Sequence, residues 1–219
     1  MLPSFRGMGI RRLGLGLWLA AAASITADFT HANATTLRRQ SLSDLAKGSE
    51  LIFEGQVVAR VVEALPDGQG ARTCVTFKIM EVIAGTHPGS TIRLCFFGGM
   101  VGSRGFAVTG MRYPAVGEHG VYLVESSNEP LLNPLIGWDQ GRFLVAKDSV
   151  TGTLRMTTAD HRRITGLAPD AAKTTAQDGD VVSPASATAA GVISDDQPGL
   201  AGALSRDAFV KELRSLHDR

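Results

Sequence analysis

From Leu51 onward apolar and polar side chains alternate with a period of two. That alternation limits what this chain can fold into more than anything else in it. Phe53, Gly55, Val57, Ala59 and Val61 fall on one face, and Glu54, Gln56, Val58, Arg60 and Val62 on the other, the pattern of a half-buried strand. Gly55 is costly inside a flat strand, so it marks a sharp bend or a close backbone approach. Pro66-Asp67-Gly68 follows as a turn, combining a fixed φ, a side chain that bonds its own backbone, and tolerance of positive φ. Val75, Phe77 and Ile79 line one face of the next strand, and Met80-Glu81 breaks its alternation, which predicts a bulge. After a turn at 85–90, Ile92, Leu94 and Phe96 make a third alternating strand, with further apolar segments at 121–124, 136–146 and 154–156.

About six short strands joined by hairpin turns predict a mainly β domain over residues 35–165. The expected form is a small antiparallel Greek-key barrel, OB-like, with strand glycines supplying the bends that closure requires. A short N-terminal helix precedes it. Ser41-Leu-Ser-Asp44 is a capping-box pattern, and Gly48 suits a left-handed C-terminal cap. At Gly166 the composition shifts to Ala, Gly, Ser, Thr, Pro and Asp. Residues 166–203 therefore read as a disordered, flexible linker that buries too little to offset its ordering entropy. Beyond it, Phe209, Val210, Leu213 and Leu216 recur at helical spacing behind a Ser205 cap, so residues 204–219 read as a C-terminal amphipathic helix.

Residues 1–34 have the three parts of a signal peptide: Arg6, Arg11 and Arg12, an apolar run over 13–25, and the small-x-small triplet Ala32-Asn33-Ala34. Cleavage is expected between Ala34 and Thr35, giving an exported protein, periplasmic or secreted. The apolar run is shorter than the about 20 residues a membrane span requires, so no span is expected in the mature protein. The chain has a net charge of +1, and its first 34 residues carry three Arg and one Asp, so the remainder is at −1. Near-neutrality without a basic stripe or tail excludes nucleic acid and an anionic membrane surface as partners.

The two cysteines, Cys74 and Cys95, set two arguments against each other. An even count in an exported chain favours a disulfide. A hairpin with Ile83 opposite Thr91 opposes it, because Cys74 then faces Met100, five positions from Cys95. At about 3.3 Å per residue that offset is roughly 16 Å, where a bridge needs Cα atoms within about 7 Å. In this register both cysteines lie on the face opposite the apolar side chains.

Chemistry-bearing patterns are sparse. Val101-Gly102-Ser103-Arg104-Gly105 lacks the leading glycine of a nucleophile elbow, and the glycines at 98, 99, 102 and 105 are not followed by the Lys-Ser/Thr pair of a phosphate loop. His87, His119, His161 and His217 form no metal-binding spacing. Glu118 and His119, being adjacent, cannot both face inward on a strand. No cofactor, metal or catalytic residue is expected. Trp138, Asp139 and Gln140 form the most site-like cluster, since an aromatic beside a carboxylate and an amide suits a sugar or a peptide.

Several phrases also carry a resemblance: Ser41-Leu-Ser-Asp-Leu, Leu51-Ile-Phe-Glu-Gly-Gln-Val-Val, Thr76-Phe-Lys-Ile-Met-Glu-Val-Ile-Ala-Gly, Val116-Gly-Glu and Trp138-Asp-Gln-Gly-Arg-Phe. Over roughly residues 36–147 and the terminal helix, the chain resembles an uncharacterised family of exported bacterial small β-barrel proteins. The first-strand phrase is also similar to netrin-like, OB-type modules and tissue metalloprotease inhibitors. Those inhibitors work through an N-terminal cysteine where this chain has Thr35, and the family implies no catalytic residues. The expectation is an exported, non-enzymatic binding or accessory module for a protein or small ligand of the envelope or medium. Its rivals are a hydrolase with a site around Asp139, Asp160 and His161, and a protease-associated inhibitor or chaperone.

Overall fold

The computed structural model of the chain describes residues 36–168, 181–182 and 188–219. The signal-type segment, the Ala34/Thr35 junction and residues 169–180 and 183–187 of the expected linker lie outside the described residues. In chain order come β1 (Leu37–Arg38), α1 (Leu42–Gly48), β2 (Leu51–Ala64), β3 (Ala71–Ala84), β4 (Thr91–Phe97), β5 (Gly99–Val101), β6 (Arg104–Phe106) and β7 (His119–Val124). A 3-10 turn (Trp138–Gly141) then leads to β8 (Arg142–Lys147), β9 (Leu154–Thr158), β10 (Arg163–Leu167), β11 (Val181–Val182), β12 (Val192–Asp195) and the helix α2 (Arg206–His217).

Eight of the strands form one antiparallel sheet in the order β12-β10-β9-β8-β7-β2-β3-β4. β2, β3 and β4 follow one another, and β7 returns by a long connection to lie beside β2, which is a Greek-key arrangement. The mainly β expectation holds. Closure does not appear, because β12 and β4 remain as two edges and the sheet is not a barrel. β1 pairs with β11, and β5 with β6, as two separate ribbons.

Local sequence explains most of the elements. Ser41 Oγ accepts from Asp44 N–H at 3.0 Å, as a capping box requires. The helix stops at Ser49 in extended conformation rather than through a left-handed Gly48. A Cβ on Gly48 would lie 2.7 Å from Ile136 Cδ1, the mobile end of a side chain packed beneath the helix. At the β2–β3 hairpin Gly68 has φ +69, Gly68 N–H donates to Leu65 O, and Asp67 Oδ1 accepts from Gln69 N–H. Gly55 bends and packs at once. The β2–β3 register slips between Glu54 and Gly55, leaving Met80 as the extra residue, and a Cβ on Gly55 would lie 2.8 Å from Lys78 O.

The sheet is buried on both faces around β2 and β7. One face carries Ile52, Val121, Leu123, Phe143 and Met156 beneath α1 and α2. The other gathers Phe53, Phe77, Phe96 and Tyr122, with Phe77 and Tyr122 ring centroids 4.6 Å apart. Alternation within β7 divides its side chains between the two cores.

Two expectations are corrected. The first is the hairpin register. β3 and β4 pair with Lys78 opposite Thr91, so Cys74 faces Cys95 directly, and the two form a disulfide with Cα atoms 4.0 Å apart. β3 bulges at Met80, and beyond Lys78 it continues along β2 alone while residues 79–90 make the connection to β4. That excursion accounts for the five-position error. The second is the linker boundary at Gly166. Residues 192–195 form an edge strand against β10, and Ala189, Ala190, Val192 and Ala203 are buried. Small side chains suffice there because the backbone does the joining: Leu42 N–H donates to Ala190 O, and Ala190 N–H to Gln40 O. None of the described helices is long and apolar enough to cross a membrane.

Candidate functional site

The sequence-predicted trio lies under α1, where the 3-10 turn enters β8. Trp138 has φ +60, a left-handed conformation uncommon for a residue with a Cβ. Its side chain is half-buried, whereas Asp139 and Gln140 turn inward. Gln140 Oε1 accepts from Gln40 N–H at 2.8 Å and its Nε2 donates to Arg38 O at 3.1 Å, which ties the start of the described chain to β8. Asp139 accepts from Arg112 Nε at 2.6 Å and from Arg142 Nη1 at 3.3 Å. Arg142 also donates through Nε to Glu118 Oε1 at 2.9 Å, and Tyr122 Oη donates to the same oxygen at 3.1 Å.

Burial pushes the Asp139 carboxyl up, and the guanidiniums of Arg112 and Arg142 offset this only in part. Burial also disfavours charge on Arg142, but Glu118 and Asp139 outweigh it and hold the guanidinium protonated. Burial, reinforced by Glu118, raises Tyr122, so its phenol is a neutral donor. The other two residues of the hydrolase reading are elsewhere: Asp160 accepts from Thr158 Oγ1 in the β9–β10 turn, where His161 has φ +64.

A second charged cluster escaped the sequence reading. His119 Nε2 lies 2.7 Å from Glu54 Oε1, Arg206 Nε donates to Glu54 Oε2 at 2.8 Å, and Arg206 and Arg214 both pair with Glu81. Burial acts to raise Glu54, but hydrogen bonds from His119 and Arg206 overcome it and leave the carboxyl below its ordinary value. The hydrogen bond from Arg206 likewise holds Glu81 low. Adjacent Glu118 and His119 do point apart, each into its own cluster. Only the strand register reveals His119's partner, since Glu54 sits diagonally across β2–β7.

The third feature is a cleft of ≈ 540 Å³ between the free edge of β4 and the segment 126–134. Leu65, Phe97, Leu131 and Leu132 give it apolar walls, Cys95 of the disulfide opens onto it, and Arg93 stands at its lip. Leu132 is 53% exposed. Arg72 and Arg93 share a single carboxylate, Glu63, and both guanidinium side chains remain about half-exposed. Ile79 N–H donates to Ser90 O across the β3–β4 hairpin, which makes the even-numbered residues of β4 the bonded ones and turns the odd-numbered backbone groups outward. At one end Thr91 O lies 3.0 Å from His87 Nε2. At the other, Phe97 N–H donates to Leu132 O at 2.8 Å and Phe97 O accepts from Tyr113 Oη at 3.1 Å. Between them, the outward N–H and C=O of Arg93 and Cys95 have no hydrogen-bond partner among the described residues.

A second cleft, ≈ 610 Å³, lies between the β8–β9 turn and residues 199–202. Its polar groups serve the fold: Asp148 Oδ1 accepts from Val150 and Thr151 N–H, and Arg155 Nη1 donates to Ala203 O. Among the described residues no three His, Cys, Asp or Glu side chains gather as a metal-binding set. No family model matches the chain, and neither a curated protein nor a solved structure matches it significantly.

Proposed function

We propose that this chain is an exported, non-enzymatic binding or accessory module that holds a protein or small ligand of the envelope or medium. The observation that carries the reading is the cleft at the β4 edge. It joins apolar walls to unpaired backbone groups, whereas the carboxylates of the buried clusters all accept from neighbouring guanidinium, imidazole or hydroxyl groups. Export is supported by the signal-type residues 1–34 and by the Cys74–Cys95 disulfide, which persists in oxidising compartments. Trp138, the least buried of its trio, is a second contact in this reading, with Asp139 and Gln140 fixing the backbone beneath it. An OB-like wrapping of β2, β3, β4 and β7 around the Phe53/Phe77/Tyr122 cluster belongs to the same reading.

Affinity capture from envelope and medium with the tagged chain, followed by mass spectrometry, tests the module. A stoichiometric partner that is lost on Leu132→Asp is expected. Turnover in a broad hydrolase screen would favour the enzyme reading instead. N-terminal sequencing of exported protein should begin at Thr35, and intact Met1 in the cytoplasm would remove the export claim.

A further inference from the structure

Edge strands are normally blunted, because unpaired backbone groups are a template for another chain. β4 is blunted at both ends by its own molecule, through His87 at Thr91 and through Leu132 and Tyr113 at Phe97, and left open between them at Arg93 and Cys95. The gap presents two N–H and two C=O groups, spaced for alternate residues of an extended chain. The hydrogen bond from Phe97 to Leu132 already shows the strand-like contact that such a chain would continue. We propose that the open edge of β4 takes up an extended peptide segment by strand addition, with an acidic side chain of that peptide set against Arg72 and Arg93. This rests on the binding-module reading and names the class of partner.

Charge selects the occupant. An added strand alternates its side chains between the two faces of the sheet, and those on the disulfide face meet Arg72 and Arg93. Exposed Lys78 is on the same face, and because the two guanidiniums share Glu63 alone, the trio of Arg72, Arg93 and Glu63 carries one positive charge in excess. A carboxylate on the peptide would neutralise it. Glu129 stands across the cleft on the opposite wall and disfavours a second acid there, so an apolar residue belongs on that side, beside Leu131 and Leu132. A second copy of the chain fits less well. Edge-to-edge pairing of two β4 strands would bring both Arg72/Arg93 pairs to one place, and like charges directly across a ladder are destabilising. Main-chain pairing gives affinity and the flanking side chains give selectivity, as in other strand-addition sites.

The test uses acetylated, amidated hexapeptides alternating valine with glutamate, or valine with lysine, titrated into the full chain lacking residues 1–34. Binding is read by fluorescence anisotropy and by hydrogen exchange at single amides. The glutamate peptide should bind, with the lysine peptide at least about tenfold weaker. Arg93→Gln should weaken the glutamate peptide about tenfold at unchanged thermal stability, and Arg93→Lys should restore most of it. N-methylation of the peptide amides that face β4 should abolish binding, while N-methylation of the alternate set should be tolerated. Exchange at Arg93 and Cys95 should slow at least about tenfold on saturation. The proposal is overturned if neither peptide binds at millimolar concentration, if both N-methylated sets behave alike, or if the Arg93 and Cys95 amides are already protected by self-association. A partner captured from the envelope that leaves the Arg93 and Cys95 amides exchanging as in the free chain would sink strand addition and leave the module reading standing. Absence of any captured partner would sink both.

Discussion

At the scale of single residues, the groups that matter most here are polar ones facing inward. Gln140 is fully buried, and its amide makes hydrogen bonds to the backbone at Gln40 and Arg38. Gln140→Leu keeps the volume and leaves the Gln40 N–H without its acceptor, so unfolding in urea should show a loss of about 1–3 kcal/mol. A change within a few tenths of that of a surface substitution would mean that water replaces the amide. Gly55 makes a contrasting case. Gly55→Ala places a methyl group against Lys78 O, a backbone atom with no room to retreat, and should cost about 1–3 kcal/mol by the same measurement. Gly55 was legible in the sequence, because an expensive residue in a strand has to be there for a reason. Gln140 was legible only as polar. Beside Trp138 it looked like a ligand contact, since nothing local shows that its partners are a backbone about 100 residues away.

At the scale of elements, α2 shows both what periodicity carries and what it leaves out. Phe209, Val210, Leu213 and Leu216 were readable as one face, and all four are buried against the sheet and α1. Leu213→Ala should therefore destabilise the chain by about 2–5 kcal/mol in denaturant. The polar anchors were not readable, because Glu54 and Glu81 lie on β2 and β3 and only the assembled sheet brings them to Arg206 and Arg214. Both carboxyls titrate below their ordinary value in the folded chain. Their contribution is thus complete above the unfolded value of about 4.3 and is lost as pH falls through the lowered folded values. The share of the urea midpoint due to these two carboxyls should hold steady from neutral pH down to about pH 5 and drop at more acidic pH, while the raised Asp139 carboxyl acts in the opposite sense. Arg206→Gln should lower the neutral plateau and flatten the acid limb; an unchanged acid limb would place the titration elsewhere. The region 188–203 failed to read as structure for the opposite reason. Its alanines have no periodic apolar signal, yet Ala189, Ala190 and Ala203 are buried.

At the scale of the whole molecule, the decisive quantity is strand register, which alternation alone does not determine. A period of two says which side chains share a face. It leaves the offset between neighbouring strands to turns and bulges. The bulge at Met80 was legible, but its consequence, that β3 leaves β4 at Lys78 and continues on β2, was not. Compartment chemistry succeeded where geometry failed, since the even cysteine count pointed to the bridge that the assumed hairpin forbade. The bridge clamps β4, an edge strand held on one side only, beside the cleft at its outer edge. With a sequence separation of 21 residues, the loop it closes should restrict the unfolded chain by about 3 kcal/mol. Urea unfolding with and without reductant measures that difference. Because the clamp sits at the cleft, reduction should also speed amide exchange at Leu94 and Phe96, whose N–H groups bond to β3, more than in β7 or β8, deep in the sheet. Uniform acceleration across all strands would mean that the disulfide stabilises only globally, through the unfolded state, and that the β4 edge stays in place without it.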